Sequence, residues 1–258
     1  MGADFRALVR GEAKGLEPDE VVAGDLADEA GLVKILDGVD RVFLLTNSSE
    51  EAEGLQLNLV RAAARANVKH IVKLSQLAAD LHSPVRFLRY HAVVEETIRA
   101  EGLKFTFLRP NLYMQGLLAL KDAIKYEGRF YAAVGDARIS AVDVRDIAAV
   151  AVTALTQDGH DGKVYTITGP ESLTHEEMAA RLSAVLGREI SFVNVAPEQM
   201  AGAFRAAGFP EWQVGGLVED YAHYARGEAA AVSEDVRVVT GKMAIRFEDF
   251  ARDYKDFF

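Results

Sequence analysis

Residues 68–75, VKHIVKLS, read as one buried strand that ends in a serine. Residues 39–46, VDRVFLLT, and residues 104–109, KFTFLR, have the same character. Runs that do not alternate between apolar and polar residues are typical of parallel strands, because helices cover both faces of such sheets. These three segments therefore predict neighbouring strands of a parallel sheet.

Helical patterns alternate with these strands along the chain. One helix is predicted to end near residue 66 and another to span residues 84–100. Residues 5–9, 163–168 and 190–195 predict further strands. Thr174 and Glu177 fit a capping box, and helical patterns follow at residues 210–225 and 247–258. This alternation predicts an α/β fold with a doubly wound parallel sheet.

Composition excludes several classes of function. The 258 residues carry a net charge of -10 and no run of lysines and arginines, which argues against a nucleic-acid face. No stretch approaches the roughly 18 apolar residues of a membrane span. The chain has no cysteine, and its six histidines are scattered, so we expect no disulfide, thiolate nucleophile or metal site. We expect a cytoplasmic protein that acts on a small molecule.

Two familiar patterns, one for dinucleotide binding and one for catalysis, are absent from the sequence. No two glycines are spaced Gly-x-Gly, although such a turn normally lets backbone amides reach a dinucleotide's pyrophosphate. None of the eight tyrosines has a lysine four residues later, which excludes the tyrosine–lysine pair of classical short-chain dehydrogenases. Ligands of parallel α/β sheets bind beyond the carboxyl ends of the strands. The residues at those ends are Arg10, Asp25, Thr46, Asn47, Ser75, Gln76, Pro110 and Asn111.

Several segments, taken in order, resemble the NmrA-like atypical short-chain dehydrogenase/reductases. They are residues 5–10 (FRALVR), 24–26 (GDL), 43–46 (FLLT), 72–75 (VKLS) and 106–115 (TFLRPNLYMQ). The resemblance implies a Rossmann-like dinucleotide-binding core over residues 1–150 and a small α/β substrate lobe over residues 151–258. Family members open with a strand, a glycine-rich turn and a helix. This sequence lacks that unit, of roughly 20–30 residues, and we expect a start codon chosen too late, a fragment or a decayed copy.

The resemblance also implies a cofactor, NADP(H) with NAD(H) as the alternative. An arginine at the place of Arg10 reaches the 2′-phosphate in the family, and Lys14 lies nearby in the sequence. An aspartate at the place of Asp25 lies by the adenine. The remaining implied cofactor residues are Leu26, Leu45, Thr46 and Pro110, and the implied substrate-pocket residues are Asn111, Tyr113 and Met114. Each also has a structural reading: a solvated strand end, a turn or a core position.

His91 and Ser75 are the predicted catalytic residues. His91 lies on the helix in which classical relatives carry the catalytic lysine, and there it could donate a proton to a carbonyl. The alternative is a surface histidine that bonds a nearby carbonyl group. Ser75 could supply an active-site hydroxyl, or it could only bond the backbone at the end of its strand.

Three functions remain open from the sequence. The first is an NAD(P)H-dependent oxidoreductase that reduces a small carbonyl or quinone. A quinone suits a chain without the tyrosine–lysine pair, because its reduced oxygens need little help from an acid. The second is a non-catalytic redox sensor with a protein partner, and the third is a chain that no longer binds a dinucleotide. A homodimer is compatible with any of them.

Overall fold

The computed structural model describes residues 4–11 and 17–258, which form short strands alternating with helices. The strands are β1 (Arg6–Val9), β2 (Glu20–Ala23), β3 (Arg41–Leu44), β4 (His70–Leu74), β5 (Lys104–Pro110), β6 (Arg129–Ala132), β7 (Lys163–Ile167) and β8 (Ser191–Asn194). The helices are α1 (Glu29–Ile35), α2 (Ala52–Arg65), α3 (Arg86–Ala100), α4 (Val144–Thr156), α5 (His175–Leu186), α6 (Pro197–Ala206), α7 (Glu211–Ala225), α8 (Asp235–Thr240) and α9 (Phe247–Asp253).

The central sheet has the strand order β3-β4-β5-β7, and all its strands run parallel. Strands β1 and β2 form a separate parallel pair, in which Ala7 lies opposite Val21. Within the described residues, β1 and β3 are not hydrogen-bonded to each other. The parallel α/β fold predicted from the sequence is confirmed, and the carboxyl ends of the four central strands meet at one edge.

Helices cover both faces of the central sheet. Successive side chains of a strand point to opposite faces, so Ile71 and Val72 of β4 enter different cores. Ile71 packs with side chains of α1, α2 and α3, including Leu59 and Val94. Val72 packs on the other face with α4 and α8, including Val150. This doubly wound arrangement seals the middle of β4 and β5 from water.

A second, smaller layer follows the central sheet in the chain. Strands β6 and β8 pair in parallel, and α5 and α9 pack beside them. Phe130, Leu182, Phe247 and Phe250 are fully buried in this core. The helix α5 begins with the predicted capping box, in which the Thr174 hydroxyl accepts from the amide of Glu177.

Three features differ from the sequence-based expectations. The helix expected over residues 247–258 ends at Asp253 and continues as the 3₁₀ turn Lys255–Phe257. The short elements β6 and α8 were not predicted from the sequence. The strand β7 lies within residues 151–258, which were expected to form the substrate lobe, but it pairs with β5 and belongs to the central sheet. Within the described residues no helix is long and apolar enough to cross a bilayer.

Candidate active site

Arg10 lies at the carboxyl end of β1, where its side chain is exposed to solvent. Lys14, its predicted companion, lies outside the described residues. Gly24, just after β2, packs closely against the ends of two apolar side chains. A Cβ atom there would stand 2.5 Å from the side chain of Ile35 and 2.8 Å from that of Leu8. The first turn of the predicted cofactor region therefore brings its backbone close to α1 and β1.

The next two predicted cofactor residues fix the local chain path. The Asp25 carboxylate accepts a hydrogen bond from the Ala27 amide at 2.9 Å, which closes a short turn. The Leu26 carbonyl accepts one from Asn58 Nδ2 at 3.0 Å, which ties the end of β2 to α2. Asp25 is exposed, so its turn role and the implied place by an adenine are compatible.

The ends of β3 and β5 contribute the other predicted cofactor residues. Leu45 is 56% exposed just after β3. Thr46 Oγ1 accepts a hydrogen bond from Gln56 Nε2 at 2.7 Å. Pro110 is buried, and its carbonyl accepts from the Leu77 amide at 2.9 Å. Thr46 thus connects the strand edge to a polar group in the interior.

That interior group is centred on Lys73, a fully buried lysine of β4. Its Nζ contacts Gln56 Oε1 at 2.8 Å, the Leu74 carbonyl at 3.2 Å and His91 Nδ1 at 2.9 Å. The predicted catalytic residue His91 is therefore buried on α3 and bonded to a lysine. It is not a surface histidine that bonds a carbonyl group.

Burial controls the charges of this pair. Removal from water lowers the pKa of Lys73 to about 7, although the negative charge of Glu95 acts in the opposite direction. Burial lowers the pKa of His91 well below its usual range, and the positive charges of Lys73 and Arg109 add to this effect. At neutral pH His91 is therefore uncharged, while Lys73 is close to its titration midpoint.

Ser75 belongs to a second buried group directly beside the first. Its Oγ donates to Glu95 Oε1 at 2.5 Å. Arg109 donates to the same carboxylate from Nε at 3.0 Å and from Nη2 at 2.6 Å. Glu95 is 1% exposed, and Arg109, together with the more distant Arg99 Nη2 at 3.7 Å, compensates its buried charge. Ser75 thus bonds a side chain that sequence analysis did not single out.

Asn111 is occupied by contacts within the protein. Its Nδ2 donates to Ser140 Oγ at 2.8 Å and to the Ala229 carbonyl at 2.9 Å, and its Oδ1 accepts from the Leu112 amide. Both amide hydrogens are used. A polar contact from Asn111 Nδ2 to a substrate would require one of these bonds to break.

Tyr113 and Met114 line a cavity of about 40 Å³, together with side chains that include Phe130, His175 and Tyr221. Met114 is buried, whereas the Tyr113 ring is 38% exposed. Removal of its hydroxyl from water, with Tyr90 and Asp220 nearby, raises the pKa of Tyr113 to about 12. Tyr113 is therefore neutral at physiological pH. The cavity is lined mainly by aromatic and apolar side chains.

The described residues fit a phosphorylated dinucleotide at its two ends. An exposed guanidinium after β1 suits a 2′-phosphate, and the exposed Leu45 suits the flat face of an adenosine. The neutral imidazole of His91 lies beside Lys73 of β4, at the place that the resemblance implies for the nicotinamide end. The sequence has no Gly-x-Gly turn to supply amides to a pyrophosphate, so the fit depends on these two ends.

Lys73, Gln56 and Glu95 were not among the site residues predicted from the sequence. A signal was present, because a lysine in the middle of a strand buried on both faces has to find partners for its charge. Which partners it finds depends on how α2 and α3 pack over β4, and no local pattern encodes that. Within residues 4–11 and 17–258, no cluster of three or more His, Cys, Asp or Glu side chains could hold a metal ion.

Comparisons with known proteins show which proteins this chain is similar to. The chain is 38% identical over 252 residues to an NAD(P)H azoreductase of Xenophilus azovorans, which covers 96% of this chain and 88% of the relative. It is 36% identical over 240 residues to the (4-alkanoyl-5-oxo-2,5-dihydrofuran-3-yl)methyl phosphate reductase of Streptomyces griseus, at 93% and 84% coverage.

A solved structure and a family profile extend the similarity to the whole fold. The Escherichia coli NADPH-dependent quinone oxidoreductase complexed with NADPH superposes with a TM-score of 0.87 at 27% identity, over 98% of this chain and 91% of that chain. The NmrA-like family matches residues 2–246. This chain belongs to the NmrA-like family.

Proposed function

We propose that this protein is an NAD(P)H-dependent reductase of small, electron-poor conjugated molecules, with NADPH as the preferred cofactor. The observation that carries the proposal is the 38% identity to an NAD(P)H azoreductase over 96% of the chain. The preference for NADPH rests on the exposed Arg10 after β1 and on the NADPH complex of the E. coli structural relative.

The relatives' names indicate the chemical class of the acceptor. An azo group, a 5-oxo-2,5-dihydrofuran ring and a quinone are the targets in those names. Each has a double bond conjugated to electron-withdrawing or aromatic groups, so it accepts a hydride easily. We therefore propose an acceptor of this class, with a quinone or small carbonyl compound as the first choice.

The cofactor is held by the strand ends in this proposal. Arg10 and Lys14 bind the 2′-phosphate, while Asp25 and Leu26 lie beside the adenine. Leu45, Thr46 and Pro110 line the rest of the cleft. When bound, the reduced dinucleotide supplies a hydride to the acceptor.

The proton comes from the protein. Neutral His91 presents Nε2, which has no partner among the described residues, and its N–H protonates the reduced acceptor. Ser75 orients Glu95 and acts on the reaction through that carboxylate. Tyr113 and Met114 form the apolar wall against which the acceptor lies, and Asn111 holds that wall through Ser140.

The wider organisation belongs to the same proposal. Residues 1–150 would form the cofactor core, and residues 151–258 would add the substrate lobe together with β7 of the core sheet. A cytoplasmic location and a homodimer or protein partner are parts of the proposal that light scattering and cell fractionation would examine.

The test is NADPH binding by calorimetry followed by NADPH oxidation with 1,4-naphthoquinone. We expect binding and quinone-dependent turnover in the wild type, with reduced turnover but retained binding in His91→Gln. The matched control is His82→Gln. His82 is exposed in a loop, and within the described residues it forms no hydrogen bond with Lys73 or its partners. Binding without turnover of a quinone, an azo dye or an enone would favour the non-catalytic sensor. No binding of either dinucleotide would contradict both functions.

A further inference from the structure

Lys73 occupies a position that the fold would otherwise fill with an apolar side chain. It follows Ile71 by two residues on β4, so both side chains point to the face covered by α2 and α3. Ile71 enters the apolar core there, whereas Lys73 reaches a pocket of polar atoms with no exposed surface. A buried ammonium group is costly unless every hydrogen is bonded. Nζ has three such partners, namely Gln56, Leu74 and His91.

The three contacts of Nζ are not equivalent. Gln56 Oε1, held by the bond from Gln56 Nε2 to Thr46, and the Leu74 carbonyl can only accept hydrogen bonds. His91 Nδ1 can accept or donate. Two Nζ hydrogens are thus fixed on oxygens, and the third position faces a nitrogen 2.9 Å away. The proton on that line can belong to either residue.

We propose that Lys73 is the proton reservoir of the site and passes its proton to His91 Nδ1 when His91 Nε2–H protonates the reduced acceptor. This inference rests on the proposed reductase function. Lys73 acts through His91 and does not touch the substrate, so it is a positioning residue. His91 is the catalytic one.

The transfer balances without any further reactant. At His91 the Nε2–H bond breaks as the new bond to the acceptor forms, and a Nδ1–H bond forms as one Nζ–H bond breaks. His91 remains neutral with its hydrogen on the other nitrogen, and Lys73 becomes an uncharged amine. The amine's lone pair then accepts from Nδ1–H, while its two hydrogens stay on Gln56 and Leu74. Solvent restores the proton through Nε2, because Lys73 itself has no exposed surface.

The charges around the pair allow the proton to move in both directions. From α3, Glu95 stabilises the ammonium form of Lys73. The charge of Arg109 of β5, which bonds Glu95, helps to keep His91 neutral. Gln56 of α2 is uncharged, and Tyr90 of α3, beside His91, stays protonated because burial raises its pKa. With a pKa of about 7, Lys73 loses and regains a proton in the physiological range.

Nitrogen NMR of the protein without cofactor tests the shared proton directly. With ¹⁵N-labelled histidine, we expect neutral His91 to carry its hydrogen on Nε2 at pH 6 and on Nδ1 at pH 9, with a midpoint at about 7. The signal is assigned with His91→Gln. A His91 that keeps one tautomer over this whole range would overturn the proposal.

Two variants connect the tautomer to Lys73. Gln56→Glu places a carboxylate at Nζ with nearly the same shape, so we expect the midpoint of the switch to rise by about 1–3 pH units. Lys73→Met abolishes the switch. The matched control, Lys69→Met, removes an exposed lysine paired with Asp40 and leaves the midpoint unchanged. An unchanged midpoint in Gln56→Glu would contradict the proposal even if Lys73→Met failed to fold.

Turnover separates this inference from the proposed function. We expect kcat of the wild type with 1,4-naphthoquinone to fall as the pH rises through about 7, and the fall to move upward in Gln56→Glu together with the NMR midpoint. With this quinone, Lys73→Met lowers kcat by less than the about 10²–10⁴-fold contribution of a positioned acid, because the reduced oxygens of a quinone need little help from an acid. If the tautomer switch is normal but no acceptor is turned over, the reductase function is overturned and the shared proton is still supported. If turnover occurs with the same pH profile in the wild type and in both variants, the proton transfer from Lys73 is overturned and the reductase function is still supported.

Discussion

The β1–β2 pair and the buried polar group under β4 are built in opposite ways. In β2, three of the four residues are exposed, and Val21 is 50% exposed. In β4, four of the five residues are buried, and one of them is the lysine that bonds His91. Both regions carry predicted site residues. Their side chains therefore act under different constraints on charge and packing.

The difference separates binding from stability. Charges at the exposed strand ends are solvated whether or not a ligand is present, so changing them alters affinity with little effect on folding. Charges in the buried group are compensated only by each other, so changing one alters folding, pKa values and chemistry together. The following predictions test whether the two regions differ in this way.

The largest expected effect comes from breaking the buried ion pair. Glu95→Ala leaves the Arg109 guanidinium without its bidentate partner and removes the acceptor of Ser75. We expect the free energy of unfolding to fall by about 3–5 kcal/mol, measured by urea denaturation. Glu96→Ala is the control, since Glu96 forms an exposed pair with Arg99 on the same helix. Equal losses in the two variants would contradict the contrast between buried and exposed charges.

The second prediction concerns the pH dependence of stability. The pKa of Lys73 is about 7 in the folded chain, whereas the ordinary value of 10.5 applies in the unfolded chain. Between pH 7 and 10.5 the unfolded chain therefore binds one proton on Lys73 that the folded chain does not bind. The free energy of unfolding therefore rises with pH in this window, by about 1.4 kcal/mol per pH unit from this one group. Below the pKa of the folded chain, Lys73 is charged in both states, so the full cost of burying its charge lowers the free energy of unfolding.

Lys73→Met should remove that slope. Urea denaturation at pH 7.5, 8.5 and 9.5 gives the difference between wild type and variant, and we expect this difference to change by about 1.4 kcal/mol per unit. Lys69→Met, at an exposed lysine, should run parallel to the wild type. Parallel curves for wild type and Lys73→Met would mean that Lys73 is charged throughout the range.

The sequence predicted the exposed region more completely than the buried one. Arg10, Asp25 and Leu45 follow their strands directly, and position after a strand is a local property that the apolar runs reveal. The strands at residues 68–75 and 104–109 were found for the same reason. The fold and family were thus accessible from pattern and resemblance alone.

The buried region depends on contacts that are distant in sequence. Lys73 and Gln56 are 17 residues apart, and Lys73 and His91 are 18 apart. The ion pair of Arg109 with Glu95 joins β5 to α3 across 14 residues. Helix packing decides which of several polar side chains meet, so His91 could be placed on its helix but not beside a lysine. The structural role of Asn111 was hidden likewise, because its partner Ala229 lies 118 residues away.

Thr46 marks the boundary between the two regions, and a substitution there has an intermediate effect. Thr46→Val keeps the shape of the side chain but removes the acceptor of Gln56 Nε2. We expect the free energy of unfolding to fall by about 1 kcal/mol, as for one neutral hydrogen bond. Because Gln56 then loses its anchor, the NMR midpoint of the His91 tautomers should shift as well. If stability falls but the NMR midpoint does not move, Thr46 does not influence Lys73 and behaves like the residues of the exposed region.

Arg10→Ala should have the smallest effect on folding and a clear effect on binding. The side chain is exposed at the end of β1, so we expect the free energy of unfolding to stay within about 0.5 kcal/mol of the wild type. Loss of a charge-assisted contact with a 2′-phosphate should weaken NADPH binding by about tenfold or more and leave NADH binding unchanged, measured by calorimetry. Arg205→Ala, at an exposed arginine paired with Glu211, is the control for charge. If NADPH and NADH lose the same affinity, Arg10 holds a part common to both dinucleotides. The exposed region then sets affinity, and the choice between the two cofactors lies elsewhere in the cleft.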